Sequence, residues 1–173
     1  MAITSRAQII DAWAQPVLKE GFIPEVVRLF QQSGSAHLLG QNLSAAQLVE
    51  MMDNAGVDRV MLCAWHRPGT WVISNDTIAQ FVRQFPQRFV GVAAVNLEKP
   101  VEAVRELKRA VTELGFKALR VVPWLWNRPQ MTNSTFLSIS LASNWTSPFA
   151  PRWAIQDRLC HPKRVVLFPI LTR

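Results

Sequence analysis

The sequence predicts an α/β fold over residues 1–126, a parallel sheet with helices packed against it, and a break in that order near residue 130. Three observations predict it. Strand-like runs rich in Val and Ile alternate with runs of helical period. The second, third and fourth strands begin about 30 residues apart, the spacing of βαβ units. After Arg128 both periods stop. An open doubly wound sheet and a closed barrel both satisfy such alternation. No G-x-G-x-x-G or Walker-type loop follows any strand, which weakens a nucleotide-binding reading.

The elements follow in chain order. The first strand is expected at Gln8 to Trp13, centred on Ile9 and Ile10. A helix over Pro24 to Gln32 places Val26, Leu29 and Phe30 on one face. The next starts after Ser44, where Gln47 completes a capping box, and carries Leu48, Met51, Met52 and Ala55 as far as Gly56. The second strand is Arg59 to Trp65. Ser74 or Asn75 caps a third helix, with Ile78, Phe81, Val82 and Phe85 inward and Pro86 at its end. The third strand is Phe89 to Val95. Pro100 sits in the first turn of a helix whose stripe is Val101, Val104, Leu107, Val111 and Leu114, ending at Gly115. The fourth strand is Lys117 to Val122.

Composition narrows the function. The net charge is +7, but residues 1–130 hold 14 basic against 11 acidic groups and residues 131–173 hold 5 against 1. More than half the excess therefore lies in the last quarter. There it is scattered over Arg152, Arg158, Lys163, Arg164 and Arg173, with no basic stripe on a recognisable motif, so no nucleic-acid partner is expected. Apolar runs fall far short of the roughly 18 residues of a membrane helix, and no membrane partner or secretory signal is expected. Cys63 and Cys160 lack C-x-x-C spacing, which favours a reducing, cytoplasmic setting. From Met131 to Ser147 the chain is crowded with Ser, Thr and Asn. From Pro148 onward only Val165 to Leu171 is strand-like, yet Trp145, Trp153 and Phe149 are foreign to a solvated linker.

Several segments carry a family resemblance. Ile9-Ile10-Asp11 opens the chain, and Ala55-Gly56-Val57-Asp58 leads into the second strand. Phe85-Pro86-Gln87-Arg88-Phe89-Val90-Gly91 marks the third strand, and Leu114-Gly115-Phe116-Lys117-Ala118-Leu119 the fourth. Over Ile9 to Pro129 the chain resembles the amidohydrolase-related family of TIM barrels, which includes lactone hydrolases and decarboxylases of the aminocarboxymuconate semialdehyde type. The resemblance implies the N-terminal half of a (β/α)8 barrel, four β/α units in residues 1–130, with an irregular tail over 131–173. A complete barrel needs about 250 residues. Four units alone would leave the first and fourth strands with open edges, through which the chain could self-associate.

The family implies a divalent metal, commonly zinc, at the C-terminal mouth of the barrel, two of its ligands coming from an H-x-H motif on the first strand. Trp13 and Gln15 hold those two positions here. Indole cannot ligate a metal and a neutral amide is a poor zinc ligand, so no metal site is expected in this chain. The remaining candidates are pocket residues. His66 and Arg67 follow Trp65 at the rim where barrel enzymes keep functional groups. Arg120 on the fourth strand either meets a substrate carboxylate or makes a structural ion pair. Trp13, Trp65, Trp124 and Trp126 either line an aromatic pocket or pack the mouth of the barrel. His37 reads as a solvated loop residue.

The change near residue 130 has the form of a reading-frame shift. Taking each codon's third base with the next codon's first two, Trp153-Ala154 forces a glycine, because Trp has the single codon TGG. The following pairs permit His, Thr, Gly and Pro, and Ser147 to Trp153 permits Pro-Phe-Cys-Thr-Gln-Val in the same frame. The hidden segment resembles the family's fifth strand, whose histidine is a usual metal ligand. The function expected by descent is that of a hydrolase, or non-oxidative decarboxylase, of a small carboxylated or lactone substrate, with this chain itself inactive. The alternative is a non-catalytic truncated product or an interaction module.

Overall fold

The computed structural model describes residues 7–122, Trp126, and the backbone of Val166–Pro169. Its main sheet has the order β1 (Ile10–Ala14), β2 (Arg59–Cys63), β5 (Phe89–Ala93), β6 (Ala118–Val121), β7 (Val166–Pro169). A second sheet is the hairpin β3 (Trp65–Arg67) and β4 (Thr70–Ile73). The helices are α1 (Pro24–Gln32), α2 (Ala45–Asn54), α3 (Asn75–Gln84) and α4 (Pro100–Thr112). β1 pairs parallel with β2, and β5 with β6. Val60 N–H donates to Arg88 C=O and Ala64 N–H to Val92 C=O, so β2 and β5 also advance together. Four parallel strands thus stand side by side in chain order. A doubly wound sheet reverses its order at a switch point and a (β/α) barrel does not. The order decides between the two in favour of half a barrel.

The chain divides into two compact units, Met1–Leu62 with Gln80–Val90, and Cys63–Ala79 with Gly91–Arg173. In the first unit, Ser44 and Gln47 form the capping box that starts α2: Ser44 Oγ accepts from Gln47 N–H at 3.2 Å and Gln47 Oε1 from Ser44 N–H at 2.9 Å. Gly56, at φ +68°, turns the chain out of the helix, and Val57 N–H closes back on Met52 C=O. Arg88 binds this corner. Its guanidinium donates to Asp58 C=O at 2.8 Å, Val57 C=O at 3.1 Å and Asp53 Oδ1 at 2.6 Å. The family-like segment before β5 therefore holds the end of α2 against the start of β2. Asp58 Oδ2 in turn accepts from Ile9 N–H at 2.8 Å and sets where β1 begins. Phe81 and Phe85 pack edge-on against the buried Phe89.

In the second unit, Ser74 caps α3, its Oγ accepting from Thr77 N–H at 3.0 Å. Asn75 is buried and does a different job. Its amide accepts from Ala94 N–H and donates to Ala94 C=O, both at 3.0 Å, as a neighbouring strand would. It also donates to Glu106 Oε1 on α4 at 2.7 Å. One side chain thus ties α3, the end of β5 and α4 together. Gly91 is required by contact: a Cβ there would strike the ring of the buried Phe116. Lys117 N–H then bonds Gly91 C=O at 3.0 Å, leading into β6.

Four expectations are corrected. The second strand ends at Cys63, and Trp65 belongs to the hairpin. Pro68-Gly69 reverses that hairpin, with Gly69 at φ +77°. The buried stripe of α4 is Ala103, Leu107 and Ala110, while Val101 is 63% exposed. Alanine lets the helix axis approach its neighbours, so the small residues face in and the valines flank them. On α1 no residue is fully buried and Leu29 is 60% exposed. Finally, the outer edge of the fourth strand is not open: β7 pairs antiparallel along it, Ala118 opposite Pro169 through Val121 opposite Val166. β7 falls within the strand-like stretch Val165 to Leu171.

Candidate functional site

The C-terminal ends of β2, β5 and β6 converge in the second unit around a water-sized cavity of about 10 Å³, lined among others by Trp65, His66, Val95, Arg120 and Trp126. Strand geometry puts them there. A parallel sheet presents all its C-terminal ends on one side, and each strand delivers its last residues to that rim. Arg120 is 6% exposed and its guanidinium lies 5.4 Å from the Trp65 ring centroid, a cation–π contact. Burial pulls this guanidinium down to about 10, against the opposing influence of the buried Cys63 thiol. That value is far above neutrality, so Arg120 is a buried cation.

His66 is also 6% exposed. Its ring stacks on Trp126 at 5.5 Å and meets Trp71 edge-on at 4.5 Å. Burial lowers its pKa; the Arg67 backbone and the charge of Glu98 act the other way. The imidazole is therefore neutral at physiological pH. His66 Nδ1 and Trp65 Nε1 are buried and make no hydrogen bond among the described residues. Buried polar atoms of this kind are rare in folded proteins and mark places where a ligand, water or proton transfer completes the bonding.

His66 is also a wall of a second, larger cleft of about 370 Å³, shared with Trp71, Asn96 and the charged face of α4. That face repeats at helical spacing as Glu102, Arg105, Glu106 and Arg109. Arg109 is fully engaged, forked onto Asp76 at 2.8 and 3.0 Å and onto Glu106 at 2.8 and 2.9 Å.

Of the residues singled out from the sequence, Trp65, His66, Arg120 and Trp126 come together. Arg67 lies across the hairpin from Thr70 and lines neither cavity. Trp13 sits within β1 and Gln15 just beyond its end, both partly buried in the first unit. Trp124 lies outside the described residues. Trp71 was missed. Its signal is the alternation Trp-His-Arg then Thr-Trp-Val-Ile on either side of Pro-Gly, a hairpin pattern.

Among the described residues no three His, Cys, Asp or Glu side chains converge to hold a metal ion, and neither Trp13 nor Gln15 offers a side chain suited to zinc.

Comparison with known proteins places the fold. Residues 10–133 match the amidohydrolase family profile. The chain is 36% identical over 89 residues to a gamma-resorcylate decarboxylase of Rhodococcus jostii, covering 51% of this chain and 26% of that protein. It is 34% identical over 47 residues to the 2-amino-3-carboxymuconate-6-semialdehyde decarboxylase of Dictyostelium discoideum, covering 27% of this chain and 13% of that one. The crystal structure of a dihydroxybenzoic acid decarboxylase from Polaromonas, with bound manganese and the inhibitor 2-nitroresorcinol, superposes with a TM-score of 0.52 at 20% identity. It covers 80% of this chain and 47% of that one. The chain thus spans less than half the length of each.

Proposed function

We propose, for a chain that belongs to the amidohydrolase family, that the whole barrel of which these units form half is a non-oxidative decarboxylase of a small, flat carboxylic acid. The observation that carries this reading is the buried Arg120 cation set beside Trp65, within one cavity wall of the neutral His66. A guanidinium fork matches a carboxylate in shape and charge. Desolvation strengthens that attraction and removes the water that would otherwise solvate the acid. Loss of carbon dioxide leaves the bonding electron pair on the former carboxyl-bearing carbon, and a proton must replace the carboxyl there. His66, with a nitrogen not engaged among the described residues, is the group suited to hold or relay that proton. The two resorcylate-type relatives act on acids of this kind by name, which supports the same class.

The 173-residue chain by itself is expected to be inactive, and the frame shift near residue 130 is the explanation we favour. Sequencing the gene across codons 120 to 173 tests the second point. A continuing alternate frame that reads Gly-His-Thr-Gly-Pro supports it, and an early stop in every other frame removes it. The activity test is release of carbon dioxide from 2,6-dihydroxybenzoate by the frame-restored protein. Arg120→Met should lower kcat/KM by about a hundredfold or more, since a hydrogen bond to a charged group lost in the transition state is worth about 2.7–4 kcal/mol. Turnover of lactones with no carbon dioxide release would replace this reading with the hydrolase one.

A second reading is favoured by Trp13 and Gln15, which remove two expected metal ligands: a non-catalytic product that serves as an interaction module. Metal analysis of the frame-restored protein separates the two, stoichiometric manganese or zinc supporting the enzyme and none supporting the module. No helix among the described residues is long and apolar enough to cross a membrane. A cytoplasmic location belongs to the same proposal, with a small molecule rather than nucleic acid or membrane as the partner.

A further inference from the structure

We propose that the cleft between the β3–β4 hairpin, the loop after β5 and α4 is a binding site for a flat aromatic carboxylate, held with its ring against Trp71 and its carboxylate on Arg105. The inference rests on the activity reading above only for the class of ligand. Its own support is threefold. The cleft, at about 370 Å³, is within the size range of small-molecule sites. Its aromatic wall is open to a ligand: Trp71 is 38% exposed while its ring makes a T-shaped contact with His66. An indole so held offers a pre-ordered stacking face.

One cationic side chain of the cleft is available to a ligand. Four ionic groups of α4 line the cleft, and three are spoken for. Glu102 pairs with Lys99 at 3.2 Å, and Glu106 with Arg109, which also holds Asp76. Arg105 makes no ion pair or hydrogen bond among the described residues. The cation this face offers a ligand is thus Arg105, whose planar fork matches a carboxylate in shape and charge. His66 is a wall of both the cleft and the inner cavity that Arg120 lines.

The test is a titration of the 173-residue chain with salicylate, followed by calorimetry and tryptophan quenching. Saturable binding is expected, with the affinity lowered at least tenfold in Arg105→Gln. Quenching should shrink in Trp71→Phe, and cyclohexanecarboxylate should bind at least tenfold more weakly than benzoate. Arg105 is exposed, so its variant should keep the wild-type circular dichroism. Absence of saturable binding, or an Arg105→Gln variant that binds as wild type, would overturn the site. Decarboxylation by the frame-restored barrel is a separate readout. Arg105-dependent binding without carbon dioxide release defeats the activity reading and leaves the cleft standing; release without such binding defeats the cleft alone.

Discussion

His66 shows how much a single residue's surroundings decide. The same imidazole in water would be half protonated near pH 6.5, but here burial holds it neutral below that point. In the window between its lowered folded pKa and 6.5 the unfolded chain binds more protons than the folded one. Stability therefore falls as pH falls through that window and levels off below the folded pKa. Urea denaturation from pH 7.5 to 5 should show a declining midpoint, and His66→Gln should flatten the decline. An unchanged slope in the variant would assign the pH effect elsewhere. The sequence reading set His66 directly after the second strand, whereas it lies within β3. Its ring partners were not legible either, since edge-on and stacked contacts with Trp71 and Trp126 depend on a hairpin register that strand-by-strand reading does not supply.

Among the elements, the helix starts and stops read most directly. Ser44 with Gln47, Pro24, Pro100 and Gly56 each act through local backbone chemistry, and α1 runs from Pro24 to Gln32 as the pattern predicts. Faces were harder. The α4 stripe was drawn through the largest apolar residues, whereas the buried one is built on Ala103 and Ala110, whose value lies in the space they leave. Asn75 was read only as a possible cap, yet its amide stands in for a strand against Ala94. Nothing in a one-dimensional pattern distinguishes the two uses. Asn75→Ala would leave both backbone groups of Ala94 buried without those bonds, at a cost of about 2–4 kcal/mol. Chemical denaturation should show it as a lower midpoint at unchanged m-value. A cost below about 0.5 kcal/mol would mean that water or a shift of α4 replaces the clamp.

For the molecule as a whole, alternation alone left barrel and doubly wound sheet level, and it took the order β1-β2-β5-β6 to separate them. Strand order is set by long-range pairing, which periodicity does not encode. β7 adds something the β/α rhythm does not contain, a strand running antiparallel on the edge where a barrel would place its next parallel one. Its pairing covers the N–H and C=O groups of β6 that would otherwise invite another chain. Deleting residues 131–173 should therefore raise self-association, read as a larger mass by light scattering at equal concentration. A truncated chain that stays monomeric would show that the β6 edge is not the sticky one and direct attention to β1.

The β3–β4 hairpin carries a consequence for how such a site could diversify. Its reversal is made by Pro68-Gly69, while the residues that reach the cleft, His66 and Trp71, sit opposite each other a step back from the tip. Turn and recognition are thereby uncoupled. The tip can lengthen, shorten or exchange residues over generations without disturbing the sheet beneath, and an exchange at position 71 alone would alter which molecules are welcomed. A lineage could in this way explore new ligands one substitution at a time while inheriting its scaffold intact.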